Sequence, residues 1–192
     1  MNFNVYYFID EFNKNEIEKL PTQISLIYRN YHKKNDPIEL AKLVMHCKNN
    51  RRRVYISNNL KDAIKYNFDG LYIPSFHKQL GFKNITKKNL EIIGSAHNAI
   101  ELKIKEKQGC SSIFLSPIFK NNKNKKFLDV IKTNLLKKLT KNQIVLLGGI
   151  NQKTLKRSKL CSPSGVAAIS WIKKKRPKYK YWAVLNLKLK LN

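Results

Sequence analysis

Short apolar runs alternate with polar or helix-competent segments along almost the whole chain, and this rhythm limits the folds open to it. The runs fall at 5–9, 23–29, 54–56, 69–74, 91–95, 112–116, 144–147 and 166–169. Most are apolar throughout rather than at every second residue, the pattern of strands buried on both faces. Strands separated by helices must be parallel, because each crossover returns the chain to the starting edge. Eight such units predict a single (β/α)8 barrel of the TIM type, compact and with trimmed loops at 192 residues. A doubly wound open sheet is the alternative, since strand order is not written in the pattern.

The helices carry their own signals. Asp36 followed by Pro37 is an N-cap and first-turn pair, and Leu40, Leu43, Val44 and Cys47 form a buried stripe behind it. The basic run 48–53 reads as a solvated helix-to-strand turn. Ser57-Asn58-Asn59 opens a helix over 60–66, and His97-Asn98 opens another that Gly109 closes. Residues 75–90 are irregular, with room for one short helix. Leu128, Ile131, Leu135 and Leu139 mark a helix by their spacing, and 151–158 suits a short one. The barrel should occupy 1–172. Beyond it, 173–192 begins as a basic patch with interleaved Tyr179 and Tyr181, then alternates Ala183, Leu185, Leu187, Leu189 and Leu191 with mostly polar residues. That period of two suits an appended edge strand or a contact in a homo-oligomer better than an eighth helix.

The formal net charge of +27 favours anionic partners such as nucleic acid, acidic membranes or phosphorylated metabolites. However, the excess is lysine spread along the whole chain, together with abundant Asn and Ile, as an AT-biased coding sequence would give. No stretch approaches the roughly 20 apolar residues of a membrane span. No nucleic-acid-binding motif accompanies the charge, so nucleic acid ranks last among the partners. The three cysteines, Cys47, Cys110 and Cys161, are odd in number and widely spaced, which fits free thiols in a reducing compartment. A strand pattern starts almost at once and no signal peptide is visible, so the expected location is the cytoplasm.

In such barrels, function gathers at the C-terminal ends of the strands. Those positions hold Asp10, Arg29, Ser57 and Asn58, Pro74 and Ser75, Ser95 and His97, Ser116, Gly148 and Gly149, and Ser170. The set is rich in hydroxyls and poor in carboxylates. It suits a neutral heterocycle with one or two phosphates, not a two-carboxylate hydrolase or a His/Asp metal centre. Arg29 can grip a phosphate bidentately. Gly148 and Gly149 let backbone N–H groups approach a ligand closely. Lys123, with Lys120, Lys125 and Lys126 in the loop after the sixth strand, could close over an anion or simply be solvated. His97, near a helix N-terminus, should stay neutral, as a proton acceptor or as a structural cap.

These residues carry a family resemblance. Gly94-Ser95-Ala96-His97 resembles the G-x-S-x-H segment of the thiamine phosphate synthase/TenI family. Ile113-Phe114-Leu115-Ser116-Pro117-Ile118-Phe119 resembles its (F/L)-x-S/G-P-(I/V)-F strand, and Asp69-Gly70-Leu71-Tyr72-Ile73-Pro74 its D-G-(V/L)-H-L-(G/P) strand. Leu147-Gly148-Gly149-Ile150-Asn151 resembles its G-G-I loop, and 165–170 its final phosphate-binding strand. The resemblance implies an enzyme of thiamine biosynthesis or salvage that joins a pyrimidine pyrophosphate to a thiazole phosphate and releases pyrophosphate. It implies that Arg29 contacts pyrophosphate, that Ser95 lies beside the pyrimidine, and that Gly149, Ile169 and Ser170 cradle the thiazole phosphate. It also implies Mg²⁺, yet the family's metal carboxylates fall on Asn58 and near Phe76-His77. A hard cation relies on oxygen anions, so the usual metal site is not expected. The family lysine two residues beyond the arginine is Tyr31, and the histidine of the tautomerase branch is Pro117. A barrel that keeps only the phosphate cradle, as a TenI-like isomerase or a non-catalytic binder, is the second reading.

Overall fold

A computed structural model of the chain describes residues 3–31, 33–82, 90–121, 126–169 and 171–172. Lys123, Lys125, Ser170 and the tail 173–192 lie outside the described residues. The elements in order are β1 (Asn4–Ile9), α1 (Lys14–Glu18), β2 (Ile24–Tyr28), α2 (Pro37–Asn49), β3 (Val54–Ser57), α3 (Leu60–Lys65), β4 (Gly70–Ile73) and β5 (Glu91–Ala96). They continue with α4 (Ala99–Lys107), β6 (Ser112–Leu115), α5 (Asp129–Lys138), β7 (Gln143–Leu147), α6 (Leu155–Ser158) and β8 (Gly165–Ala168). Each strand pairs in parallel with the next, and β8 closes on β1. The barrel expectation holds and the open sheet does not.

Continuous apolar strands are needed because both faces are covered. Outward residues such as Val5, Tyr7, Ile24, Leu26, Val54 and Ile56 belong to the layer packed against the helices. Inward residues form a separate core of Tyr6, Phe8, Ile27, Tyr55, Tyr72, Ile93, Phe114, Val145, Leu147 and Ala167. Half of these are aromatic, and they meet edge-on: Tyr6–Phe114 at 4.9 Å, Phe8–Tyr72 at 5.3 Å and Tyr72–Phe114 at 5.5 Å between centroids. Small residues make room for them. A Cβ on Gly70 would lie 2.5 Å from the Tyr55 ring. At the N-terminal end of the strands, Glu91 accepts hydrogen bonds from Tyr55 Oη at 2.7 Å and Ser111 Oγ at 2.8 Å and pairs with Arg53. That end is closed by polar side chains that bond to one another.

Helix α2 begins as expected, with Asp36 capping the Ile38 amide at 2.9 Å and Leu40, Leu43, Val44 and Cys47 buried. Three expectations need correction. In α5, Ile131, Leu135 and Leu139 are exposed, while Thr133 is buried and Val130 and Leu136 pack on the core. The apolar spacing located the helix but not its inner face. The helix expected over 151–158 starts only at Leu155, because an Asn151–Thr154 turn takes its first half: Asn151 Oδ1 accepts from the amides of Lys153 and Thr154. The run 48–53 is not uniformly solvated. Arg52 is 3% exposed and donates to the carbonyls of Pro21, Ile24, Ile17 and Leu20, closing the C-terminal end of α1. Helix α1 itself, with a single buried side chain, Ile17, had no periodic signal to announce it.

Candidate functional site

Parity along the strands decides which side chains reach the barrel mouth. In β2, Ile27 points inward, so Arg29 two residues on does as well. Its guanidinium lies 4.5 Å from the centroid of Phe8 and 5.9 Å from that of Tyr31. Tyr31 Oη is hydrogen-bonded to Ser57 Oγ at 2.9 Å, and its ring meets Phe76 edge-on at 6.0 Å. Below them Tyr72 faces inward on β4, with Ser95 on the neighbouring β5. Burial pushes its phenol up to about 12, although Ser95 and the charge of Arg29 act in the opposite direction. Arg29, Tyr72 and Ser95 thus belong to one arc of the mouth, formed by the neighbouring strands β2 to β5.

His97 follows β5 and precedes α4, whose N-cap is Asn98. Glu101 closes the turn by accepting from the His97 amide at 2.7 Å while its own amide donates to Asn98 Oδ1 at 2.9 Å. The imidazole Nδ1 bonds the carbonyl oxygen of Ser116, which can only accept. The proton is therefore on Nδ1, and in the neutral ring Nε2 accepts from Ser75 Oγ at 3.0 Å. His97 ties together the loops after β4, β5 and β6.

The other arc is built from the loops after β6 and β7. The amides of Ile118 and Phe119 donate to the carbonyls of Leu147 and Gly148 at 2.9 and 3.1 Å. Gly148 and Gly149 have φ of 89° and 72°, in the region that favours glycine. A Cβ on Gly148 would sit 2.8 Å from Pro117 Cβ and 3.3 Å from Ser116 Oγ, and one on Gly149 would sit 2.5 Å from the Phe119 carbonyl oxygen. Both glycines are only partly buried, so their backbone borders solvent at the mouth. Ile169, 36% exposed, stands at the end of β8 beside them. Gly149→Ala is expected to force the two loops apart at a cost of about 1–3 kcal/mol from backbone strain alone. Thermal unfolding checks the stability loss.

The positions of the family's metal carboxylates hold a different arrangement. His77 Nδ1 is bonded to Asn58 Oδ1 at 2.6 Å, an uncharged pair. Among the described residues no group of three or more His, Cys, Asp or Glu side chains could hold a metal ion. The oxygen anions that Mg²⁺ prefers are missing from this pair, and the two residues do not fit that ion.

Of the expected site residues, Arg29, Ser95, His97, Ser116, Gly148, Gly149 and Ile169 gather at the C-terminal ends of the strands. Tyr72, Tyr31 and Phe76 were not singled out as site residues, whereas Ser75 was among the strand-end positions. The signal for Tyr72 was its strand parity between Gly70 and Pro74.

The family model described as thiamine monophosphate synthase matches residues 22–172. A thiamine-phosphate synthase of Methanococcus maripaludis is 27% identical over 120 residues, which span 62% of this chain and 58% of that relative. Among solved structures, a thiamine phosphate pyrophosphorylase from Pyrococcus furiosus superposes with a TM-score of 0.70 at 16% identity, over 88% of this chain and 86% of that one. The N-(5'-phosphoribosyl)anthranilate isomerase of the same organism gives 0.65 at 14%, over 91% of each chain. Such low identities speak to the barrel alone. The family match spans most of the chain and includes every candidate site residue, so the chain belongs to the thiamine monophosphate synthase (TMP-TENI) family.

Proposed function

We propose that the protein is a thiamine phosphate synthase-like transferase, acting in thiamine biosynthesis or salvage on a pyrimidine pyrophosphate and a thiazole phosphate. The observation that carries this reading is the placement of Arg29 with Tyr72 and Ser95 on one arc of the mouth and the Gly148–Gly149 cradle on the other. In the reaction the bond from the pyrimidine methylene to the pyrophosphate oxygen breaks, and pyrophosphate leaves with the electron pair. The thiazole nitrogen then donates its lone pair to the methylene carbon, forming the new C–N bond. Arg29 takes the charge that grows on the leaving group. Tyr72 and Ser95 line the pyrimidine side. Ser116, Gly148, Gly149, Ile169 and Ser170 hold the thiazole phosphate, and Lys123 contributes positive charge to its binding. Because Asn58 and His77 are a poor match for Mg²⁺, the leaving group depends more heavily on Arg29. The unpaired, buried Cys47, Cys110 and Cys161 support a cytoplasmic location.

The test is calorimetric titration with thiazole phosphate and then pyrimidine pyrophosphate, with and without Mg²⁺, followed by an assay for thiamine phosphate. Both ligands should bind and product should form. Arg29→Gln should lower pyrimidine pyrophosphate affinity and kcat/KM by about 10- to 100-fold, the worth of a charge-assisted hydrogen bond. Thiazole phosphate affinity should change little. The Asn58–His77 pair favours a second reading, a retained phosphate cradle without synthase chemistry. Binding of thiazole phosphate alone, with no product, would establish that reading instead.

A further inference from the structure

The crossover from β4 to β5 has no α-helix among its described residues. The outward side chains of β4, Leu71 and Ile73, therefore meet residues of the loop that follows Pro74. Between them, α3 and that loop lies a cavity of about 260 Å³, lined by Asn58, Leu60, Leu71, Ile73, His77, Gln79, Leu80, Gly81 and Phe82. It is outside the barrel wall. Leu71 and Ile73 belong to the outer layer, whereas Tyr72 between them faces the mouth.

Buried polar bonds hold the wall of this cavity. Lys105, with no exposed surface, donates from Nζ to the carbonyls of Pro74 and His77 at 2.7 and 2.9 Å and to Gln108 Oε1 at 2.9 Å. Gln108 Nε2 donates to the carbonyls of His77 and Gln79 at 3.0 and 2.8 Å. The loop backbone is thus pinned at three residues by two side chains of the α4 end.

One polar atom is left over. The amide oxygen of Asn58 can only accept, so His77 Nδ1 carries the proton and the neutral ring presents a lone pair at Nε2. That atom is buried and has no hydrogen-bond partner among the described residues. Most buried polar atoms are paired, so an orphan beside a cavity asks for an occupant. Burial and the neighbouring Lys105 charge both lower the His77 pKa, in keeping with the neutral ring. The Lys105 ammonium in the wall also disfavours a cationic guest.

The geometry points to a second binding site here, for a small, uncharged, largely apolar molecule that carries one O–H or N–H donor received by His77 Nε2. An apolar cavity of about 150 Å³ already admits benzene, so the volume suits an aromatic or heteroaromatic alcohol or amine. The site shares the Asn58–His77 pair with the rim of the mouth but opens on the outer face of β4, behind Leu71 and Ile73, and its test does not depend on synthase activity.

Benzyl alcohol and toluene are matched probes, alike in shape but differing in the hydroxyl. Titrated into the full chain labelled with ¹⁵N at histidine, benzyl alcohol should shift the His77 Nε2 resonance and bind about tenfold tighter than toluene, the worth of one net hydrogen bond. His77→Phe should remove that preference while toluene still binds. Leu60→Trp, which fills the cavity from α3, should remove both, and one of the two variants suffices if the other fails to fold. Equal affinity for the two probes would overturn the proposal. So would no binding at all, which would leave a water as the partner of Nε2. Shifts confined to His97 at the mouth would overturn it too.

Discussion

Above pH 10 the protein is expected to unfold cooperatively, with tyrosine ionisation and loss of helix signal in a single transition. The cause is the aromatic filling of the barrel. Tyr6 and Tyr72 have phenols pushed up to about 12, chiefly by burial. Tyr55 is raised further by burial, and then by the carboxylate of Glu91 beside it. In the unfolded chain each would titrate near 10. Between pH 10 and 12 the unfolded state therefore releases protons that the folded barrel retains. A raised phenol pKa thus gives stability that is whole below 10 and lost as pH climbs through the folded value. At about 1.4 kcal/mol per pH unit for each group, Tyr6 and Tyr72 alone remove roughly 5 kcal/mol, comparable to the whole stability of many domains. The buried thiols of Cys47 and Cys110, pushed up to about 12, add a loss of the same sign from near pH 9. Lys105 partly offsets them. Burial lowers its pKa to about 8, so stability gains as pH rises from there toward the free-lysine value. Tyrosinate absorbance and circular dichroism followed together decide the matter. Ionisation of the buried Tyr6, Tyr55 and Tyr72 near pH 10 while the fold persists would refute the account.

The same inward aromatics show what the sequence could and could not tell. Runs such as Ile24–Tyr28 and Val54–Ser57 are apolar on both faces, and that continuity made the parallel barrel legible without coordinates. Asp36-Pro37 and Asn98 marked helix starts because a cap is a local chemical event. The face of α5 was not legible. Ile131, Leu135 and Leu139 share one stripe of the helix, but the barrel surface receives Val130, Thr133 and Leu136. Strand-end position found Arg29, Ser95, Gly148 and Gly149, whereas Tyr31 and Phe76 meet only because two loops far apart in sequence converge. The Asn58–His77 bond is of the same kind. Sequence identified what those two residues are not, and only the fold showed that they bond to each other.

Replacing Arg52 with methionine is expected to cost about 3–5 kcal/mol, from the loss of several buried charge-assisted hydrogen bonds worth about 1.5–3 kcal/mol each before their non-additivity. The usual argument for a buried arginine invokes a carboxylate, but here every partner is a backbone carbonyl. Nη1 reaches Pro21 at 2.8 Å and Ile24 at 2.9 Å, and Nη2 reaches Leu20 at 2.8 Å and Ile17 at 3.3 Å. These carbonyls belong to the end of α1 and the approach to β2, where a helix terminus leaves acceptors without intrahelical partners. Burial lowers the guanidinium pKa, yet an arginine remains charged across the ordinary pH range. Methionine would fill much of the volume, but the four carbonyls would lose their guanidinium donor. Among the described residues only those of Pro21 and Ile17 would keep backbone amides, from Ile24 and Leu20, so packing alone cannot rescue the site. At about 2–4 °C per kcal/mol for a domain of this size, the midpoint should fall by roughly 10 °C. Arg52→Lys should recover little, because one ammonium cannot span acceptors that two guanidinium nitrogens reach. Hydrogen exchange should speed up first at the amides of Ile17, Leu20 and Ile24, which belong to the segment Arg52 closes. A methionine variant within about 1 kcal/mol of the parent, with that protection intact, would show that α1 is held by its buried Ile17 and not by Arg52.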